Sequence, residues 1–161
     1  MAVLLSFVRH QSGTAAAEMA LVLPMLLALS FMTLEGANYI WNEHKVVMGV
    51  RDAARYAGRL DFSNYTCPNT IASGVLTPIK NMARTGQVTG GNARISGWVD
   101  GDVTVTLTCD PRGGLYNVVG GNAPRIKVSA NVLYPSFVGT ALGFPTSMRM
   151  GAVAESPVMG L

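Results

Sequence analysis

Gly13-Thr14-Ala15-Ala16-Ala17-Glu18-Met19-Ala20-Leu21-Val22-Leu23-Pro24-Met25-Leu26-Leu27-Ala28-Leu29-Ser30-Phe31-Met32-Thr33-Leu34 decides how the rest of this chain is arranged. No charged side chain occurs from Met19 to Leu34. Counted from Thr14, the apolar block reaches the roughly 20 residues that a helix needs to cross about 30 Å of hydrocarbon. The stretch therefore reads as a membrane span, and Glu18 is its anomaly. An ionised carboxylate costs several kcal/mol at bilayer depth, less near the interface, and such residues usually mark a function or a partner. Pro24 removes one backbone hydrogen bond inside the run, which predicts a kink that neighbouring groups in a membrane are able to accommodate.

Downstream, Glu35 marks the outer interface, with Tyr39 and Trp41 as the amphipathic aromatics expected at headgroup depth. Helical character continues through Asn42-Glu43-His44-Lys45 to Leu60. Val46, Val50, Ala53, Ala54, Ala57 and Leu60 recur at three- and four-residue steps and form one apolar stripe suited to packing on a sheet. A helix from Thr14 to Leu60 is roughly 70 Å long at 1.5 Å per residue, so about half of it stands outside the bilayer. Arg51, Arg55 and Arg59 lie four apart on one face and repel by a few tenths of a kcal/mol per pair unless acids such as Asp52 and Asp61 offset them. They read either as a docking stripe for an acidic neighbour or as a solvated face.

Upstream, Met1 to Gly13 is apolar at Ala2-Val3-Leu4-Leu5 and carries Arg9 and His10 just before the small residues. A secretory signal peptide has the reverse order, charge first and a small-residue cut after the apolar region. Arg9 favours a cytoplasmic N-terminus, which leaves the remainder of the chain outside.

The rest of the 161 residues suffices for one modest extracytoplasmic domain of about 100 residues. The segment Asp61-Phe62-Ser63-Asn64-Tyr65-Thr66-Cys67-Pro68-Asn69 is rich in turn formers. A second helix, capped by Asn69 or Thr70 and running to about Arg84, is expected to put Ile71, Val75, Ile79 and Met82 on one face, shortened or broken by Gly74 and Pro78. Strand-like runs follow. Arg94 to Val99 leads through an Asp100-Gly101 turn into Val103 to Cys109, where apolar residues alternate with threonines. Arg125 to Tyr134 repeats the alternation, and Thr146 to Glu155 does so more weakly. Short links predict an antiparallel sheet of three to four strands with one apolar face, covered by the Val46 to Leu60 stripe, hence an α+β head.

Cys67 and Cys109 both fall outside the cytoplasm in this arrangement. They are read as a disulfide tying the loop after the long helix to the end of a strand, with two buried free thiols as the alternative. The net charge of +3 shows no Lys/Arg clustering of the kind nucleic-acid binding needs. With His10 and His44 as the two histidines, no metal cluster is expected. Asp100, Asp102 and Asp110 fit turn chemistry better than a cation site. No serine has a nucleophile-elbow setting and no glycine-rich segment carries the phosphate-loop lysine, so neither an enzyme nor a cofactor is expected.

Arg9, Gly13, the small residues Thr14 to Ala17, Glu18 and the leucine-rich helix, in that order, resemble the processing site of type IVb pilins. With Ala-Leu-Val-Leu-Pro at 20–24 and Arg-Asp-Ala-Ala-Arg-Tyr-Ala at 51–57, the chain is similar to the TadE-like minor pilins, or pseudopilins, of tight-adherence (Tad/Flp) pilus systems. The likeness is close over residues 9–60 and architectural beyond them. It implies cleavage by a prepilin peptidase between Gly13 and Thr14, which makes Glu18 the fifth residue of the mature chain. It further implies that the Glu18 carboxylate pairs with the N-terminal amine of a neighbouring subunit, since opposite charges in low dielectric are much cheaper together than apart. The implied organisation is a leader at 1–13, a transmembrane part at 14–41 and an extracytoplasmic head at 42–161, held in a bacterial inner membrane. Implied partners are the peptidase, other pilins and minor pilins, the inner-membrane assembly platform and the lipid bilayer, in a pilus for surface adhesion. Glu18-Met19 departs from the Glu-Tyr pair of Flp-type major subunits, which are little more than the helix. The competing reading is an uncleaved signal-anchored envelope protein whose head binds a ligand or partner, with Glu18 idle at the headgroups.

Overall fold

Helix α1, Ser12–Arg59, runs 48 residues as a single element that contains Pro24. At 1.5 Å per residue it is about 72 Å long. The structure is a computed structural model and describes residues 12–111, 122–139 and 147–160. The leader with Arg9 and His10 lies outside the described residues, as do the connections 112–121 and 140–146.

The apolar stripe of the upper half of α1 does what its spacing dictates. Val46, Val50, Ala53 and Ala57 are fully buried, and Ala54 nearly so. They cover a three-stranded antiparallel sheet ordered β3 (Val103–Pro111), β4 (Asn122–Leu133) and β5 (Arg149–Pro157). Strand β4 is central, pairing Val105 with Val128 on one side and Val128 with Ala154 on the other. Its alternation is complete: Ile126, Val128, Ala130 and Val132 are buried against the helix, while Arg125, Lys127, Ser129 and Asn131 turn to the other face. There Arg125 bridges Asp110 and Glu155 across the three strands.

The connection from α1 to the sheet begins with a 3-10 turn, Phe62–Asn64, capped by the Asp61 carboxylate, which accepts from the Ser63 amide at 2.8 Å. A two-residue ladder follows, β1 (Tyr65–Thr66) with β2 (Thr70–Ile71), around a cis Cys67–Pro68 bond. Helix α2, Ser73–Thr85, starts later than its sequence signals suggest: Ala72 is the residue before its first turn, and Ile71 belongs to β2. It stays unbroken through Pro78 and buries Ile79 and Ala83 against α1. Gly86 ends it in the left-handed conformation at φ 77°, its amide donating to the Met82 carbonyl. The two helices touch where Gly49 faces Ala83, and a Cβ at residue 49 would run into the Ala83 carbonyl.

The expected strand at Arg94 to Val99 does not form, and Asp100-Gly101 is not a hairpin turn. Asp100–Asp102 is a 3-10 turn leading directly into β3. The physical reason is spacing and long-range pairing. Ile95 and Trp98 are both buried, a three-residue step that no strand presents to one face. Arg94 is drawn to Asp52 on α1 at 2.8 Å, and Gly90, Gly91 and Gly97 take positive φ. The third strand also lies slightly later than its sequence pattern, at Arg149–Pro157.

Candidate assembly surface and helix clip

The residues singled out from the sequence distribute along α1 and do not converge on one point. Gly13, Thr14 and Glu18 sit in its first turns, and Glu18 is exposed with no ion pair among the described residues. Every residue from Gly13 to Leu34 is exposed. Leu21, Met25 and Leu29 are 76%, 74% and 62% exposed, so this half of the helix is not covered by any of the described residues. It is long and apolar enough to cross a membrane.

Arg51, Arg55 and Arg59 are all exposed along the face of α1 that turns away from the sheet. The acids that would offset them are engaged elsewhere: Asp52 pairs with Arg94, and Asp61 caps the 3-10 turn. No ion pair to these three arginines occurs among the described residues, and a row of positive charge results. The remaining carboxylates near the sheet are each matched: Asp100 with Arg84, Asp102 with Arg149, Asp110 with Arg125.

Cys67 and Cys109 do come together. Their Cα atoms are 5.9 Å apart and the bond closes a separation of 42 residues. It joins the turn between β1 and β2 to the outer strand β3.

What sequence reasoning passed over is the role of Glu35. It marks the change from bare to packed helix, yet it is buried, only 8% exposed. Its carboxylate accepts from the Ser136 hydroxyl and from the amides of Phe137 at 3.2 Å and Val138 at 3.0 Å. Its carbonyl accepts from the Tyr134 hydroxyl at 3.2 Å, which in turn accepts from Asn38 Nδ2 at 3.0 Å. Asn42 donates to Asn38 Oδ1 at 2.9 Å and completes the ladder. Tyr39 packs edge-on against the Tyr134 ring, centroids 5.2 Å apart. A buried carboxylate is tolerable when charge-assisted bonds saturate it, and three donors do so here. The segment after β4 is thereby clipped to α1 at the foot of the head. The signal was present: Glu35, Tyr39, Asn42, Val46, Val50, Ala53 and Ala57 form one helical stripe, and reading it from apolar residues alone cut off its polar beginning.

Beside the clip is a groove of about 600 Å³ between the helix and the sheet end, lined by Met32, Gly36, Tyr39, Tyr134 and Met148.

Residues 13–55 match the family described as TadE-like protein. The match takes in the bare half of α1, the clip residues of the helix and most of the buried stripe, and ends before β1. Comparisons with curated proteins and with solved structures gave no match.

Proposed function

We propose that this chain, TadE-like over residues 13–55 and on that ground associated with the tight-adherence pilus system, is a minor pilin or pseudopilin that works by assembly and catalyses no reaction. One observation carries the reading: α1 is a single helix whose first half has no packing partner among the described residues while its second half is the core of the head. An apolar helix of that length needs a covering, and lipid before assembly and neighbouring helices after it supply one in succession.

In this reading a prepilin peptidase cuts between Gly13 and Thr14, and the new amine on Thr14 and the carboxylate on Glu18 become the ends of an intersubunit pair. An unpaired carboxylate in hydrocarbon is costly, so pairing with another subunit's amine favours extraction into the filament. The arginine row at 51, 55 and 59 meets an acidic surface of the next subunit at the level of the heads, steering docking more than tightening it. The head stays outside the cytoplasm, where its disulfide forms. A head of this size suits a role in initiating, tipping or regulating the fibre, with surface adhesion as the outcome.

Intact mass and N-terminal sequencing of protein recovered from membranes test this. A mature chain beginning at Thr14 is expected, lost in Gly13→Asp and in a peptidase-deficient host. A chain still beginning at Met1 in every sample would overturn the pilin reading in favour of a permanently anchored envelope protein.

A further inference from the structure

Depth along α1 gives the clip a second meaning. Glu35 lies 21 residues after Thr14 (35 − 14), about 32 Å along the helix axis, which is the far edge of a hydrocarbon layer about 30 Å thick. The segment that Glu35 holds is therefore at the same level. Its Phe137 is 82% exposed, the most exposed large apolar side chain among the described residues, although its own amide is bonded to the Glu35 carboxylate. Met148 beneath the sheet end is 41% exposed and Met32 on the helix 58%. The groove between them is continuous with the bare face of the span, because Met32 and Gly36 form its helix wall. A few residues higher, Ile40 and Trp41 are 67% and 64% exposed, and the Lys45 ammonium lies 5.7 Å from the Trp41 ring centroid. Apolar groups at the hydrocarbon edge, an indole above them and an ammonium above that reproduce the depth order of a membrane–water interface.

We propose that the foot of the head is itself a bilayer contact. Phe137 enters the outer leaflet, and an acyl chain of a phospholipid lies in the groove between Met32, Tyr134 and Met148. Glu35 acts as a positioning residue, fixing the segment Tyr134–Val138 so that Phe137 is held at hydrocarbon depth. The proposal rests on the membrane-anchored reading above and adds to it a second point of attachment, which sets the tilt of the head on the membrane.

The test uses the full chain in phosphatidylcholine vesicles with lipids brominated either near the glycerol end of the acyl chain or near its terminus. Trp41→Phe is compared with Trp41→Phe/Phe137→Trp, and Trp98, buried in the core, is a background common to both. The emission added by Phe137→Trp is expected to fall about twofold with the shallow bromines and less with the deep ones. Glu35→Ala is expected to remove most of that difference while the disulfide and the buried-Trp98 emission persist. Added emission that no brominated lipid quenches, in protein that floats with the vesicles, overturns the proposal and leaves the anchor intact. That is also the result if a second copy of the chain covers the foot. Protein that fails to float overturns the anchor reading and this one with it. Quenching unchanged by Glu35→Ala overturns the positioning role.

Discussion

The two halves of α1 have the same backbone and opposite relations to the rest of the molecule. From Gly13 to Leu34 every residue is exposed, and above Glu35 Val46, Val50, Ala53 and Ala57 have no exposed surface. Mean apolarity separates them, since the lower half carries no charge from Met19 to Leu34 and the upper half carries acids, amides and arginines, but it does not say why only one side of the upper half is covered. Distribution does. The lower half is apolar on all sides, as a segment surrounded by lipid or by other helices should be, and the upper half is apolar on one stripe, as a helix with a sheet on one side should be. The boundary is a carboxylate saturated by the chain that folds back on it.

This contrast is broken most severely by a charge on the buried stripe. Val50→Asp strands a carboxylate in the core and is expected to cost about 5 kcal/mol, which unfolds the head. The same change at Leu26 should leave head stability untouched and weaken membrane insertion by about 3 kcal/mol. Urea titration of the head and vesicle flotation read the two effects separately.

Next in size is the disulfide. Loop closure over the 42-residue separation predicts a loss of about 4 kcal/mol for Cys67→Ser/Cys109→Ser, seen as a lower urea midpoint at unchanged α1 helicity in detergent. Glu35→Ala leaves two partly buried amides and the Ser136 hydroxyl without their acceptor and should cost about 1–3 kcal/mol. Amide exchange would localise the damage: faster exchange at Phe137 and Val138, with Val128 and Val132 unaffected.

A smaller effect sharpens the contrast through pH. Tyr65 donates to the Ala57 carbonyl at 2.6 Å, and burial, with a lesser contribution from Tyr56, pushes its phenol up to about 12 from 10.0. The folded state thus favours the neutral phenol. This stabilisation is complete below pH 10 and is lost as pH rises through about 12, so the head should soften in that window. Tyr65→Phe should cost about 1 kcal/mol at neutral pH and flatten the alkaline fall. Smallest of all, Arg51→Ala, Arg55→Ala and Arg59→Ala should each change head stability by less than about 0.5 kcal/mol, whatever they do to assembly.

The sequence disclosed those features whose cause is local. The long apolar run, the stripe from Val46 and the alternation in β3 and β4 follow from composition and periodicity, and the cysteine pair from the compartment expected for it. Two features with distant causes stayed hidden. Residues 94–99 alternate poorly but plausibly, and only the pull of Asp52 on Arg94 and the burial of Trp98 beside Gly49 show why they wrap instead of pairing. Glu35 looked like an ordinary interfacial acid because its donors lie about a hundred residues away, at Ser136, Phe137 and Val138. At the amino end, Glu18 and the Gly13–Thr14 junction were legible as chemistry, while the partners proposed for them belong to other molecules.

An unbroken helix also carries direction. Seventeen residues separate Glu18 from Glu35 (35 − 18), about four and three-quarter turns, which leaves the Glu18 carboxylate roughly a quarter of a turn around the axis from the face that holds the head. Because Glu35, Asn38 and Asn42 lock that face to the chain after β4, the head behaves as a pointer fixed to a shaft. Turning the head about the helix axis turns the bearing of Glu18 some 25 Å below, so in the assembly proposed above the geometry with which heads meet is also the geometry with which acids and amines are offered to one another.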